Sequence, residues 1–226
     1  LTNVLPVRSQ RKITHICITH AHLDHVRDIA FLASNMMLEG RRQKINIMSM
    51  QNVLDTLSQH LFNGAVWPDL TKIPSSETAL LQYRSLLVEE KISLNGYSIT
   101  PIPVTHTVFA VGYLIEDQEG KSLFYTGDTG PTPETWKMLQ HCLGDRQLDV
   151  LIVEASLPNR LEHLAIRTGH LTASLLRNEL QGFKMLPKRI YITHAKPNYL
   201  KIITSEIKKL AVPSIAMLKD GQIIKM

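Results

Sequence analysis

Cysteine is scarce in this chain of 226 residues, which contains only Cys17 and Cys142. Two cysteines cannot form the disulfide framework of a small secreted protein, and their spacing does not match that of a zinc-binding motif. Cys17 lies within an apolar run and is predicted to be a small core residue. At this length and composition the chain fits one globular domain.

Long apolar runs and concentrated charge are also missing. No apolar stretch reaches the roughly 18 residues that span a bilayer, so the sequence predicts neither a transmembrane helix nor a membrane partner. The formal charge of +5, with a pI near 9.2, is spread over isolated pairs such as Lys208-Lys209, which is typical of a solvated surface. This mild basic excess suits a small anionic substrate, but it is too diffuse to indicate nucleic-acid binding, so nucleic acid is not expected as a partner.

The order of sequence patterns predicts an α/β protein with helices packed outside sheets. A run rich in β-branched residues predicts a strand over 12–19, and helical periodicity follows over 24–38, ending at Gly40. Asn95-Gly96 and Glu119-Gly120 predict the turns of a β-meander. Its predicted strands are 79–88, 97–104, 109–116 and 121–126.

After the meander the pattern changes to alternating helices and strands. An apolar run predicts a strand over 148–154 that is buried on both faces and closed by Glu154. The remaining predicted elements are a helix at 172–183, a strand at 189–193, a helix at 198–210 and a hairpin around Asp220-Gly221.

The densest group of reactive side chains directly follows the first predicted strand. It reads Ile18-Thr19-His20-Ala21-His22-Leu23-Asp24-His25, with three histidines and one aspartate among its last six residues. His20 and His22 are two apart, so on an extended backbone they point the same way. Imidazole nitrogens and a carboxylate oxygen suit zinc, and also manganese or iron. Because one metal takes about four ligands, this density indicates two metals. The alternative is a polar helix cap with Asp24 as the N-cap.

Four further motifs follow along the chain, each with a histidine or an aspartate. They are Thr105-His106, Gly127-Asp128-Thr129-Gly130, Gly169-His170-Leu171-Thr172 and Thr193-His194-Ala195-Lys196-Pro197. A single histidine on a loop is usually a surface residue, so each motif alone is weak. Their order, and their positions near strand ends, make them candidates for one site.

The motif His20-x-His22-x-Asp24-His25 after a strand resembles the metal-binding signature of the metallo-β-lactamase superfamily of hydrolases. The text from His20 to Ser34, with 154–160 and 194–197, resembles the class II 3′,5′-cyclic-nucleotide phosphodiesterases. The resemblance implies a four-layer αββα sandwich, with 1–226 as a single metallo-hydrolase domain. Because the superfamily places several strands before this motif, we expect the chain to lack its N-terminal strands. The cytoplasm is the favoured compartment, and the periplasm stays open because the N-terminus is expected to be missing.

Carried over residue by residue, the resemblance implies two divalent metal ions, Zn²⁺ above all, with Mn²⁺ or Fe²⁺ as alternatives. The implied ligands are His20, His22 and His106 for the first metal, Asp24, His25 and His194 for the second, and Asp128 as the bridge between them. Asp24 is also counted among the catalytic residues.

In the related tRNA 3′-processing endonucleases, a histidine at the position of His170 pairs with a glutamate and protonates the leaving oxygen. Glu154 stands at the matching place, so Glu154 and His170 are predicted to be catalytic. The alternative is that Glu154 caps the next segment and His170 is structural. Whether His170 or His194 completes the second metal site stays open.

The resemblance implies hydrolysis of 3′,5′-cyclic nucleotides, cAMP first and cGMP next, to 5′-nucleotides. The alternatives are another phosphodiesterase of this fold, such as a tRNA 3′-processing endonuclease, or a metal-binding module without activity. Arg160, Lys196 and Asn198 are candidates to hold phosphate or ribose, and Trp67 to cover a base, with ordinary surface or loop-anchoring roles as alternatives. The sequence leaves the preferred nucleotide open, and also whether the protein forms a homodimer.

Overall fold

The computed structural model describes residues 2–38 and 44–225. The chain divides into two compact units, residues 1–87 and 88–226. That the two units act together as a single metallo-hydrolase domain stays a prediction.

The first unit contains a three-stranded parallel sheet with strand order β1-β2-β3. Its strands are β1 (His15–Cys17), β2 (Ile45–Met50) and β3 (Leu81–Leu86). Its helices are α1 (Val7–Gln10), α2 (Leu23–Leu38) and α3 (Gln51–His60). β2 is the central strand, and its alternate residues Ile45 and Ile47 are completely buried. α2 buries one apolar stripe that includes Val26, Leu32 and Met36, at helical spacing.

The prediction for residues 79–88 was wrong about the sheet, because Leu81–Leu86 pairs in parallel with β2 and takes no part in the meander. A strand pattern shows that a segment is extended but does not name its partner. The meander begins instead with the short β4 (Ile92–Leu94), and Asn95-Gly96 forms the turn that leads into the next strand, as predicted. The predicted helix end at Gly40 lies outside the described residues.

The second unit contains a seven-stranded sheet with order β10-β9-β8-β7-β6-β5-β4. Its further strands are β5 (Tyr97–Val104), β6 (Ala110–Glu116), β7 (Ser122–Tyr125), β8 (Val150–Glu154), β9 (Arg189–Thr193) and β10 (Ile215–Met217). β4 to β7 pair antiparallel, whereas β7 to β10 pair in parallel. The carboxyl ends of β5, β7, β8 and β9 therefore lie at one edge of the sheet.

Helices cover this sheet through one apolar core. They are α4 (Pro133–Leu143), α5 (Glu162–Arg167), α6 (Ala173–Leu180) and α7 (Leu200–Lys209). Trp136, Leu176 and Ile203 from three of these helices belong to the same buried cluster as Phe124 and Ile192 from the sheet. The predicted hairpin around Asp220-Gly221 was wrong, because β10 pairs in parallel with β9 and no strand follows it as far as residue 225.

Two expectations drawn from scarce features can be compared with the structure. Cys17 and Cys142 are free thiols, and both are half-buried, so Cys17 lies at the margin of the core and not inside it as predicted. Burial raises the pKa of Cys17 to about 11, which suits an unreactive thiol. Over residues 2–38 and 44–225, every helix is too short or too polar to cross a bilayer.

Candidate functional site

The histidine-rich motif of the first unit forms a compact group. The ring centroid of His20 lies 4.7 Å from that of His22 and 4.2 Å from that of His25. His20 is completely buried, and the hydroxyl of Thr19 lies 3.1 Å from its Nδ1. Asp24 Oδ2 lies 3.7 Å from His25 Nε2. Three imidazoles and one carboxylate thus gather within one turn of chain, a donor set that suits a divalent transition metal.

The local fold explains this gathering. The backbone N–H of Ile18 donates to the carbonyl of Met48, and the hydroxyl of Ser49 donates to the carbonyl of Ile18 at 2.7 Å. These contacts hold the start of the motif against β2. At the other end, Leu23 begins α2, whose buried stripe fixes the helix and so fixes Asp24 and His25 in its first turn.

In the second unit, the topology of the sheet brings together residues that are far apart in the sequence. Asp128 follows β7, Glu154 ends β8, and His194 directly follows β9, all at the edge where these parallel strands end. His170 joins them from the loop before α6. One donor atom from each of these four side chains lies within 4.8 Å of the others. We call Asp128, Glu154, His170 and His194 the strand-end cluster.

Glu154 is the centre of the hydrogen bonding in this cluster and is completely buried. Its Oε1 accepts from the backbone N–H of Thr129 at 2.7 Å and contacts His170 Nδ1 at 2.8 Å. Its Oε2 accepts from the backbone N–H of Leu171 at 3.3 Å and from the hydroxyl of Ser156. Four partners hold this carboxylate in a fixed orientation, as a group that must orient others requires.

The electrostatics of the cluster favour positive charge. Burial lowers the pKa of His170, but the hydrogen bond and charge of Glu154, aided by Asp128, outweigh it, so the pKa of His170 is raised. Burial first, and then the charges of Asp128 and Glu154, raise the pKa of Tyr125 to about 12. A buried region of negative potential is what a bound cation needs.

His106 follows β5 and is oriented by the backbone of a distant loop. Its Nδ1 lies 2.7 Å from the carbonyl oxygen of Gly169, so Nδ1 carries the proton and Nε2 is the nitrogen that would take a metal. Gly169 has a φ of +66°, and a Cβ there would stand 2.8 Å from His106 Nδ1. Only glycine allows this carbonyl to approach the imidazole.

Each unit therefore brings its own predicted residues together, and the predicted pairing of Glu154 with His170 is present. The roles of these residues as ligands and catalysts stay predictions. Sequence reasoning assigned no role to Ser156 or to Gly169, although both lie inside quoted motifs. The two-residue spacing of Glu154 and Ser156 was the available signal for Ser156, since residues two apart on an extended chain share a side.

The candidate substrate-holding residues have mixed surroundings. The charge of Lys196 is felt by His170, where it lowers the pKa, so this ammonium lies near the cluster. Arg160 is stacked over Tyr199, with 5.4 Å from its guanidinium carbon to the ring centroid, and Asn198 is exposed. In the first unit the Trp67 ring packs edge-on against Phe31, with centroids 5.6 Å apart, which fits an anchor for its own loop.

Comparison with known sequences identifies relatives. The family described as cAMP phosphodiesterases class-II matches residues 6–214. A probable 3′,5′-cyclic-nucleotide phosphodiesterase of Yersinia pestis is 28% identical over 228 residues, covering 88% of this chain and 64% of that protein. The 3′,5′-cyclic-nucleotide phosphodiesterase 1 of Saccharomyces cerevisiae is 26% identical over 216 residues, covering 87% and 56%. The chain thus spans less than two thirds of the length of these two curated relatives.

A more distant relative is the ribonuclease Z of Archaeoglobus fulgidus, 22% identical over 240 residues, covering 84% of this chain and 72% of that protein.

Solved structures show the fold. Unliganded yeast PDE1 superposes with a TM-score of 0.81 at 23% identity, covering 93% of this chain and 68% of that chain. The metallo-β-lactamase fold protein YhfI from Bacillus subtilis has a TM-score of 0.74 at 14% identity, covering 98% and 79%. The predicted metallo-β-lactamase-like fold class is confirmed. With a family match over most of its length and the fold of that family, the chain belongs to the class-II cAMP phosphodiesterases.

Proposed function

We propose that this chain hydrolyses 3′,5′-cyclic nucleotides, with cAMP as the first candidate and cGMP as the second, to 5′-nucleotides. The observation that carries the proposal is the pair of the buried Glu154 and the half-buried His170, with 2.8 Å between Oε1 and Nδ1, in a chain of the class-II family. A histidine oriented by a buried carboxylate can deliver a proton to a leaving oxygen.

The residues on both units fit divalent metals, which the fold family implies. The donors are borderline-soft imidazoles with hard carboxylates, and the rings of His106 and His194 each have Nδ1 against a protein oxygen, as is usual for metal-binding histidines. We propose two ions, Zn²⁺ above all. The proposed ligands are His20, His22 and His106, then Asp24, His25 and His194, with Asp128 shared. Such ions supply Lewis acidity toward phosphoryl oxygens and lower the pKa of water toward neutrality.

His170 performs the proton transfer in this proposal. Its Nδ1–H is held by Glu154, so its Nε2–H faces the substrate, and the buried carboxylate stabilises the imidazolium that donates. In the reaction the oxygen of water bonds to phosphorus and the P–O3′ bond breaks. The O3′ oxygen takes the proton from His170 Nε2, and His170 then regains a proton from the solvent. Of the two protons of the attacking water, one goes to the solvent and the other stays with the phosphate group. The product is the 5′-monophosphate with its P–O5′ bond intact.

Lys196 supports this chemistry from nearby. Its ammonium lies close enough to His170 to act on its pKa, where a cation also favours the phosphate of a cyclic nucleotide. We propose that Lys196 holds the phosphate.

Two measurements test the proposal. Purified protein is incubated with cAMP, cGMP, a linear phosphodiester and a pre-tRNA, and the products are separated by chromatography. We expect 5′-AMP from cAMP. Elemental analysis should give about two metals per chain, and His22→Ala should remove both metal and turnover, whereas His60→Ala on an exposed turn of α3 should not. Folded protein with almost no metal contradicts the proposal.

The second candidate is a tRNA 3′-processing nuclease, favoured by the ribonuclease Z relative. It requires cleavage of the pre-tRNA without turnover of either cyclic nucleotide. A module without activity would bind metal and leave all four substrates intact.

A further inference from the structure

Ser156 stands between two parts of the strand-end cluster. It is completely buried and lies two residues beyond the end of β8. Its Oγ lies 2.5 Å from Glu154 Oε2 and 2.8 Å from His194 Nδ1. Ser156 takes no part in the proposed proton transfer to the leaving oxygen.

The proton count of a hydroxyl decides how this bridge works. Serine has one O–H to donate and two lone pairs that accept. The carboxylate of Glu154 is the strongest acceptor within reach, so the Ser156 proton points to Oε2. The Ser156 lone pairs then face His194 Nδ1, which must carry a proton and donate it. His194 is thereby fixed as the Nδ1–H tautomer, and its Nε2 holds the lone pair that a metal needs.

The surrounding backbone keeps the bridge in place. The N–H of Ser156 donates to the carbonyl of Leu171 at 3.0 Å, and the N–H of Lys196 donates to the carbonyl of Ser156 at 3.1 Å. Ser156 thus ties the segment of His170 to the segment of His194. His194 itself has a φ of +59°, a left-handed conformation that is costly for histidine and that persists only where contacts enforce it.

We propose that Ser156 is a positioning residue that fixes the tautomer and orientation of His194, so that Glu154 orients His170 directly and His194 through Ser156. The proposal rests on the proposed function for the presence of metal. Asp128 Oδ1 also lies near His194 Nδ1, but at 3.4 Å, which is longer than the 2.8 Å contact with Ser156 Oγ. One buried carboxylate would in this way serve both the proton donor and a ligand.

The first experiment needs no variant of Ser156. Nitrogen NMR of imidazole-labelled, metal-free protein reports which ring nitrogen carries the proton, and comparison with His194→Gln assigns the resonance. We expect His194 to carry its proton on Nδ1. A proton on Nε2 overturns the proposal.

The second experiment measures zinc affinity by competition with a chromophoric chelator. Ser156→Ala should weaken zinc binding about 10- to 100-fold, the range typical of groups that orient a ligand. Ser156→Thr, which keeps the hydroxyl, should stay close to wild type. Ser205→Ala, on the exposed face of α7, is the matched control.

A Ser156→Ala affinity equal to that of the control overturns the proposal, and so does a Ser156→Thr variant as weak as Ser156→Ala. Thermal unfolding of the metal-free variants checks that each is folded. The tautomer of His194 and the zinc affinity are both measured without any turnover of substrate. A wild-type protein that binds zinc but hydrolyses no cyclic nucleotide would therefore overturn the proposed function and leave the role of Ser156 standing.

Discussion

The three neighbouring parallel strands β7, β8 and β9 carry buried carboxylates at both ends, and the two ends balance that charge differently. At the amino ends, Asp149 Oδ1 accepts from the Lys188 ammonium at 2.7 Å and Oδ2 accepts from the Ser122 backbone N–H at 2.9 Å. At the carboxyl ends, Asp128 and Glu154 lie among histidines. The carboxylate of Asp149 is paired with the ammonium of Lys188. Asp128 and Glu154, by contrast, form with the histidines a set of donors that suits an added cation.

The difference separates stability from function along the same strands. A carboxylate with its own lysine and a backbone donor stabilises the fold whether or not a ligand is bound. Two buried carboxylates that are close together repel each other, which costs stability unless cations are supplied. Substitutions at the carboxyl ends should therefore lower activity, whereas substitutions at the amino ends should lower the stability of the fold.

The largest expected effect is that of Asp128→Asn, compared with Asp149→Asn. The first removes the proposed bridging oxygen charge, so turnover of cAMP should fall below detection and at least one metal per chain should be lost. The second should keep metal content and turnover. Paired steady-state assays and elemental analysis measure both, and an Asp128→Asn protein with wild-type turnover would break the contrast.

His170→Ala gives the next largest effect. Loss of a general acid typically costs about 10²–10⁴-fold in turnover, and the metal content should stay near two. Glu154→Gln should lower turnover in the same way. His163→Ala, exposed on α5, is the control. Loss of one metal from His170→Ala would make His170 a ligand and give His194 the orienting role.

The part of the candidate site that could be predicted from the sequence is the part whose residues are neighbours along the chain. His20, His22, Asp24 and His25 lie within six residues, so their common site follows from chain continuity alone. The ends of the later strands were also placed closely, because buried strands such as Val150–Glu154 are continuous apolar runs with abrupt polar ends.

The parts that sequence reasoning missed depend on partners distant in the chain. Leu81–Leu86 reads as a strand, but only the folded chain shows that it pairs with β2. Gly169 is one glycine among 11, and its need to be glycine arises from His106, 63 residues away. Nothing in the sequence distinguishes Ser156 from other serines, because its contact with His194, 38 residues away, forms only in the folded chain.

Gly169→Ala sharpens the comparison with an intermediate effect. A left-handed residue other than glycine costs about 1–2 kcal/mol, and here the new Cβ would also stand 2.8 Å from His106 Nδ1 and 2.9 Å from Thr107 N. We expect lower stability together with weaker metal binding, measured by thermal unfolding and chelator competition. Gly120→Ala, at a φ of +80° with open space around it, should share only the backbone cost.

The smallest effect concerns the amino ends alone and appears as a dependence on pH. Burial raises the pKa of Asp149, but the hydrogen bonds from Lys188 and Ser122 and the charges of Lys188 and Lys121 outweigh it, so the folded pKa lies below its ordinary value of 3.8. A depressed folded pKa means that the contribution is fully present above the unfolded value and is lost as the pH falls through the folded value. Asp149→Asn should therefore lower the free energy of unfolding by about 1–2 kcal/mol at pH 7, and the difference in that free energy from wild type should narrow below about pH 4.

Urea unfolding across this pH range measures the difference in the free energy of unfolding, with the exposed Asp145→Asn as the control. Lys188→Met should reproduce most of the loss, because it removes the hydrogen bond and the charge that do most to lower the pKa of Asp149. A gap that stays constant down to pH 2 would show that Asp149 stabilises the strand ends through shape and neutral hydrogen bonds, and the charge balance assigned to this edge of the sheet would be wrong.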